Sequence, residues 1–299
     1  MLELRDVVKY YGRLKALDGV SFRVNNGEVV GFVGVNGAGK TTTIKISAGV
    51  LRPSSGEVLV DGIDMFKDKV RASARVGWVP EVPAFEEDFR AKNYLVYLAG
   101  YYGVTGLQAE RLAESLLAEV GLKGAEHRRL REYSQGMRKR FALAASMISD
   151  PDNLLFDEVL NGLDPQGIAF FRQFALDMRR KGRAVLFSSH ILSEVQNIAD
   201  KVVFIHRGRV IAVKEMSEVL AEASSGVKVV VENPDDRVLE VLSRLGRVER
   251  LGPGSFEVVG AQPQDVNAEL VREGYRVREL AQVGGLEDYF FKLIGGEGR

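Results

Sequence analysis

The 299-residue sequence predicts an α/β protein built on a mostly parallel sheet, with an antiparallel β subdomain, a helical insertion and a smaller α+β domain at the C-terminal end. Three observations carry that prediction. An apolar run, Glu28 to Val33, leads into the glycine-rich stretch Gly34-Val35-Asn36-Gly37-Ala38-Gly39-Lys40-Thr41, and a helical pattern follows from Lys40 to Ala48. Two more apolar runs, Asn153 to Phe156 and Ala184 to Phe187, end in polar residues and alternate with helical stretches, as in a sheet covered by helices on both faces. Beyond Gly226 the pattern begins again as strand, helix, strand, strand, helix, strand, which is the order of a ferredoxin-like domain.

Taken in order, Leu2 to Val8 and Leu17 to Val24 alternate apolar and polar residues, so they read as a half-exposed antiparallel ribbon turning at Gly12. Gly56 to Gly62 reads as a short strand closed by Asp61-Gly62, and Arg75 to Pro80 as a strand stopped by proline. From about residue 90 to 149 the spacing becomes helical, with Leu112, Leu116, Leu117 and Val120 on one face and a stop at Gly121. Gln166 to Arg180 and Ile191 to Ile198 are the helices between the later strands, and Val202 to Val213 is a closing hairpin about Gly208. A helix near Glu215 to Ala223 and the small residues Ser224-Ser225-Gly226 mark a boundary between domains at 1–223 and 226–299. The second domain closes with the amphipathic Leu286 to Leu293.

Composition removes several function classes. Forty-one basic and 41 acidic residues leave no net charge, which gives no footprint for nucleic acid. Without cysteine, thiol catalysis and Cys-ligated zinc are excluded, and the three histidines at 127, 190 and 206 are too scattered for a zinc cluster. Met1 is followed by strand-like residues and not by a charged segment and an apolar one, so a cytoplasmic protein is expected. The longest uncharged stretch, Tyr94 to Ala109, is broken by glycines and shorter than a bilayer span needs. Work at a membrane would require spans from another chain.

The glycine-rich stretch satisfies every fixed position of G-x-x-x-x-G-K-[ST], the phosphate-binding loop of P-loop NTPases. Gly34, Gly37 and Gly39 let backbone N–H groups turn inward around an anion, and the following helix adds the positive end of its dipole. A triphosphate is the expected occupant: Lys40 reaches its β- and γ-phosphates, and the Thr41 hydroxyl completes coordination of Mg²⁺. Asp157, at a strand's carboxyl end, is the acid that holds Mg²⁺ through water, and Glu158 the base that polarises the attacking water. Ser134 stands at the start of an amphipathic helix, where its hydroxyl and the next N–H groups suit an anion.

The order of Tyr11, the phosphate loop, Glu81, Tyr133-Ser134-Gln135-Gly136-Met137, Asp157-Glu158, Gly162-Leu163-Asp164 and His190 resembles the ATP-binding subunits of ABC transporters, over roughly Met1 to Glu222. The resemblance implies ATP and Mg²⁺ as cofactors. Tyr11 would stack on adenine, and the loop would contribute Gly34, Asn36, Gly37, Ala38, Gly39, Lys40, Thr41 and Thr42. Thr41, Glu81 and Asp157 would stand on the metal side, and Glu158 and His190 would be catalytic, His190 sensing the γ-phosphate. Ser134, Gln135 and Gly136 look like the family signature, which meets the ATP held by a second ATP-binding subunit, and Asn161 to Asp164 like the loop crossing that interface. The implied partners are that second subunit and an integral membrane permease, with the protein on the inner face of the membrane.

Three departures from the commoner pattern stand out. Gln135 and Met137 replace residues of the usual signature; Glu81 stands where glutamine is usual, exchanging an amide for a carboxylate that cannot donate hydrogen bonds; and Val159-Leu160 replace Pro-Thr. The first two, together with the extra domain ending near Leu286 to Leu293, resemble the exporter branch. A soluble ABC ATPase acting on ribosomes or nucleic acid is the rival, but the chain has no zinc cysteines and no second cassette. A P-loop kinase leaves Ser134 to Met137 and His190 unexplained. Phe85, Phe89, Tyr94, Tyr97 and Tyr101 crowd the entry to the helical insertion, where surplus aromatics mark a docking site for the permease.

Overall fold

Alternation at the start of the chain puts Leu2 and Leu4 on one face, an irregularity after Leu4, where Asp6 has φ 47°, lets Val7 be buried with them, and the result is β1 (Leu2–Tyr11) paired antiparallel with β2 (Leu14–Val24). In this computed structural model, which describes residues 1–223 and 226–296, the uniformly apolar Val29–Val33 forms β3, buried along its whole length. The phosphate loop follows, then α1 (Lys40–Ser47). β4 (Ser55–Val60) pairs with β1 and turns at Asp61-Gly62 into β5 (Ile63–Asp64), giving an antiparallel sheet in the order β2-β1-β4-β5. A short α2 (Lys69–Ser73) leads to β6 (Val76–Val79), which stops at Pro80.

The helical insertion is α3 (Ala91–Gly100), α4 (Gly106–Glu119) and α5 (Gln135–Ser146). Its expected face is present, with Leu116, Leu117 and Val120 buried. Then come β7 (Asn153–Phe156), α6 (Pro165–Arg180), β8 (Ala184–Ser189), α7 (Leu192–Ile198), β9 (Lys201–His206) and β10 (Arg209–Glu215). They complete a second sheet, in the order β10-β9-β3-β8-β7-β6, in which β9, β3, β8, β7 and β6 run parallel. One apolar cluster joins the two sheets: Phe22 of β2 stacks on Phe32 of β3 at 5.2 Å, and Ile44 and Ile46 of α1 are buried in the same cluster. The helix that carries Lys40 and Thr41 is therefore held on both sides.

The chain divides into compact units at Met1–Lys214 and Glu215–Arg299, which moves the boundary expected after residue 223. The helix expected to end the first domain, α8 (Met216–Ala223), groups with the second because its apolar face packs against the last helix, α11 (Leu286–Gly296). Met216, Val219 and Ala223 on α8, and Leu286, Tyr289 and Phe290 on α11, are buried. Ser224, Ser225 and residues 297–299 lie outside the described residues. Between the two helices the unit runs β11 (Gly226–Val231), α9 (Arg237–Ser243), β12 (Arg247–Gly252), β13 (Ser255–Val259), α10 (Pro263–Arg272) and β14 (Val277–Val283). Its sheet has the order β12-β13-β11-β14 with antiparallel neighbours, and α9 and α10 cover one face through Val238, Val241, Leu242, Val266 and Leu270.

Candidate functional site

Parallel register brings the site together. Val33 at the end of β3 pairs with Ser189, and Phe156 of β7 pairs with both Phe187 of β8 and Val79 of β6. One or two residues past those pairs, the chain reaches the phosphate loop, Asp157-Glu158, His190 and Glu81. All of them emerge at the carboxyl edge of one sheet, where open α/β folds place ligands. They surround an open cleft of about 670 Å³ whose walls include Tyr11, Asn36, Gly37, Gly39, Lys40, Thr41, Thr42, Glu81, Glu158 and His190.

The loop's glycines answer to two different demands. Gly37 and Gly39 have φ of 79° and 112°, in the region that L side chains rarely adopt. Gly34 is needed for space: a Cβ there would lie 2.4 Å from the Ile205 carbonyl oxygen. Lys40, at the start of α1, is buried and donates to Gly34 O at 2.7 Å, and its Nζ lies 3.2 Å from Glu158 Oε1.

Asp157 lies below the cleft floor, fully buried, and accepts from Thr41 Oγ1 at 3.1 Å and Ser188 Oγ at 2.9 Å, both through Oδ1. Its Oδ2 is buried with no hydrogen-bond partner. Burial pushes this carboxyl above the usual carboxylate range, the Ser188 and Thr41 hydrogen bonds oppose the rise, and Glu158 and Glu81 add to it. A cation beside Oδ2 would reverse that balance. Glu158 has a left-handed backbone, φ 46°, which turns its carboxylate back over the loop, and its N–H donates to Ser188 Oγ at 2.8 Å. Its second oxygen, Oε2, is 3.0 Å from His190 Nδ1, while His190 itself is half exposed. A carboxylate with one oxygen on a lysine and the other on an imidazole is held in a single orientation.

Not every predicted residue reaches this cleft. Gly34 and Ala38 sit behind its wall: Gly34 offers its carbonyl to Lys40, and Ala38 is buried. Ser134, Gln135, Gly136 and Asp164 are not on the cleft of their own chain. Ser134 caps α5, its Oγ accepting from Met137 N at 3.2 Å, and Asp164 caps α6, accepting from Gly167 N at 2.8 Å. Gln135 lies against Gly162, in the loop between Glu158 and Asp164. Leu14, Lys15, Ala16, Asn161 and Arg207 also line the cleft. Asn161 was expected only as part of the interface loop, the other four were not expected from sequence, and Ser188, which holds Asp157 and Glu158 together, was missed as a site residue as well. A serine closing an otherwise apolar buried strand was the available signal for Ser188. Arg207 carried none, because only the fold brings the β9–β10 turn to the loop, through Gly208 N donating to Ala38 O at 2.9 Å.

Comparison with known proteins agrees with this geometry. Residues 17–161 match the family described as ABC transporter. The chain is 30% identical over 317 residues to the bacitracin transport ATP-binding protein BcrA of Bacillus licheniformis, covering 99% of this chain and 98% of that protein. It is 32% identical to the Nod factor export ATP-binding protein I of Paraburkholderia xenovorans (strain LB400), across 99% of this chain and 97% of the relative. A solved structure of an ATP-binding subunit of an ABC transporter superposes with TM-score 0.67 at 29% identity, over 74% of this chain and 92% of that one. The chain belongs to the ATP-binding subunits of ABC transporters. It is thus an ATPase whose hydrolysis drives transport, working within a transporter complex, and among the described residues no helix is long and apolar enough to cross a membrane. In this ABC subunit Tyr11 is 46% exposed on the cleft wall, with the Lys9 ammonium over its ring at 5.4 Å.

Proposed function

We propose that this subunit powers an ABC exporter, closing head to tail with a second ATP-binding subunit over two ATP molecules and reopening after hydrolysis. The observation that carries the reading is the convergence of Lys40, Thr41, Asp157, Glu158 and His190 by direct contacts in and beneath one cleft. Export is favoured because the full-length relatives include one named for Nod factor export and because both relatives match the C-terminal unit as well as the cassette. The domains are a cassette and a C-terminal accessory domain, which we read as ferredoxin-like from its βαββαβ order and its strand order β12-β13-β11-β14.

In the mechanism we infer, adenine stacks on Tyr11 and the phosphates enter the ring of loop N–H groups from Gly37 to Thr42. Lys40 moves from Glu158 to the β- and γ-phosphates. The donor set suits Mg²⁺: Thr41 offers a hydroxyl, Asp157 an unpartnered buried oxygen and Glu81 a carboxylate at the cleft wall. When bound, the ion neutralises phosphate charge. Glu158, released from Lys40, accepts a proton from the water that attacks the γ-phosphorus, and ADP and phosphate leave. His190 steadies Glu158 Oε2 in the tautomer protonated at Nδ1 and reaches toward the γ-phosphate. Ser134, Gln135 and Gly136 close on the ATP of the second subunit, with Asn161 to Asp164 along the interface.

The permease, a separate membrane chain, docks at the aromatic face beside the helical insertion and holds the subunit on the inner face of the membrane. Phe89, Tyr97, Tyr101 and Tyr102 are exposed there, next to a groove lined by Trp78, Pro83, Phe85 and Ala145. The test is to identify the neighbouring open reading frame and co-express the subunit with any membrane protein it encodes. Co-purification with that protein and stimulation of ATP hydrolysis by it in vesicles are expected. An ATPase that ignores the membrane protein and is instead stimulated by ribosomes or nucleic acid would overturn the transporter reading.

A further inference from the structure

Lys139 on α5 is a buried cation that nothing in the ATP site described so far uses. Only 6% of its surface is exposed, and its Nζ donates to Val159 O at 2.8 Å and to Asn161 O. Those two carbonyls flank Leu160 in the loop that leaves Glu158. Burial pushes the ammonium below the usual lysine range, and the charges of Glu81 and Glu158 oppose that shift. A buried ammonium is costly wherever a neutral side chain would pack. Its neighbours on α5 have other partners: Arg138 reaches out to Glu87 at 2.6 Å, and Arg140 lies over the Phe170 ring of α6 at 4.2 Å.

The loop needs such a hold. Glu158 has φ 46°, a strained conformation for a non-glycine residue that persists only where the surrounding structure fixes the chain. Ser188 fixes the near side through the Glu158 N–H, and Lys139 fixes the far side. Little more than one turn back along the same helix is Ser134, whose hydroxyl caps the first turn. Lys139 thus stands between the anion-facing end of α5 and the backbone behind the base.

We propose that Lys139 is a positioning residue for hydrolysis, tying the loop behind Glu158 to α5 so that nucleotide bound across the dimer at Ser134 sets the base of the other site. This rests on the ATP-sandwich reading given above. Arginine can donate to both carbonyls, whereas methionine can donate to neither and glutamine has only its short amide.

The test compares Lys139→Met, Lys139→Gln and Lys139→Arg in the full chain, each checked by thermal melt. Lys139→Met is expected to lower kcat by roughly tenfold or more while the Kd for a fluorescent ATP analogue stays within about twofold. The Hill coefficient for ATP should fall toward unity, and Lys139→Arg should recover most of both. If the methionine variant fails to fold, the glutamine variant carries the comparison. Wild-type kcat and Hill coefficient in a folded variant, loss of nucleotide binding in step with kcat, or an arginine variant no better than methionine would each overturn the role. Sedimentation of Glu158→Gln with ATP separates the two levels. Failure of that protein to dimerise defeats the sandwich itself, whereas a dimer accompanied by unaltered Lys139 variants defeats only this inference.

Discussion

Replacing Glu158 by glutamine should do two opposite things to ATP. Without nucleotide, Glu158 Oε1 sits 3.2 Å from Lys40 Nζ, and both side chains are buried. At an effective dielectric of about 20, that separation corresponds to on the order of 5 kcal/mol of attraction, which ATP must displace to reach Lys40. Much of this returns when the freed carboxylate is rehydrated and the lysine meets phosphate, leaving about 1–2 kcal/mol of net competition. An amide competes far less and does not repel the γ-phosphate. Glu158→Gln should therefore bind ATP roughly 5–30-fold more tightly. Its kcat should fall by about 10²–10⁴, or 2.7–5.5 kcal/mol, because the general base is gone. Fluorescence titration in EDTA, where turnover is suppressed, measures the first effect, and steady-state phosphate release with Mg²⁺ the second. Equal Kd values would refute the competition between carboxylate and nucleotide for Lys40. Hydrolysis at the wild-type rate would remove Glu158 from the chemistry.

Lys40→Ala should abolish measurable ATP binding in the same titration, since the cation that balances the β- and γ-phosphates is lost; unchanged affinity would put the nucleotide elsewhere. Phe85 and Phe89 should separate: Phe85 is partly buried with its ring 4.9 Å from the fully buried Phe141, so Phe85→Ala should cost about 2 kcal/mol and lower Tm by roughly 4–8 °C. Phe89 is 42% exposed, so Phe89→Ala should cost only about 1 kcal/mol yet weaken pull-down of the permease; full permease binding by a well-folded Phe89→Ala would end the docking idea. The Tyr133 phenol, buried and donating to Ala125 O at 2.9 Å, is pushed up to about 12 by burial. Tyrosine in the unfolded chain ionises near 10, so this group's contribution is full below about pH 10 and is lost as pH rises toward 12. Tyr133→Phe should be less stable at pH 8 but lose less stability between pH 10 and 12 in denaturant titrations; parallel curves would contradict the assignment.

The sequence alone was enough for what is local. The phosphate loop needs its glycines, its lysine and its threonine in consecutive positions, because one turn of backbone has to surround one anion, and so Gly34 to Thr41 announced themselves. Strands and helices were equally legible where one face repeats, as in Leu2 to Val7 or Leu112 to Val120, since burial of a face imposes a period on the residues. The boundary near residue 223 was not legible, because α8 has an apolar face that suits either unit, and only its packing against α11 decides which. The grip of Lys40 and His190 on opposite oxygens of Glu158 likewise came only with the tertiary structure. Those residues lie far apart in the chain and meet because β3, β7 and β8 run parallel in one register. Ser188, Arg207 and Lys139 belong to the same class. Ser188 and Lys139 act on a backbone or a carboxylate supplied by another element, Arg207 reaches the cleft on the β9–β10 turn, and long-range pairing of that kind leaves no spacing in the sequence from which it could be read.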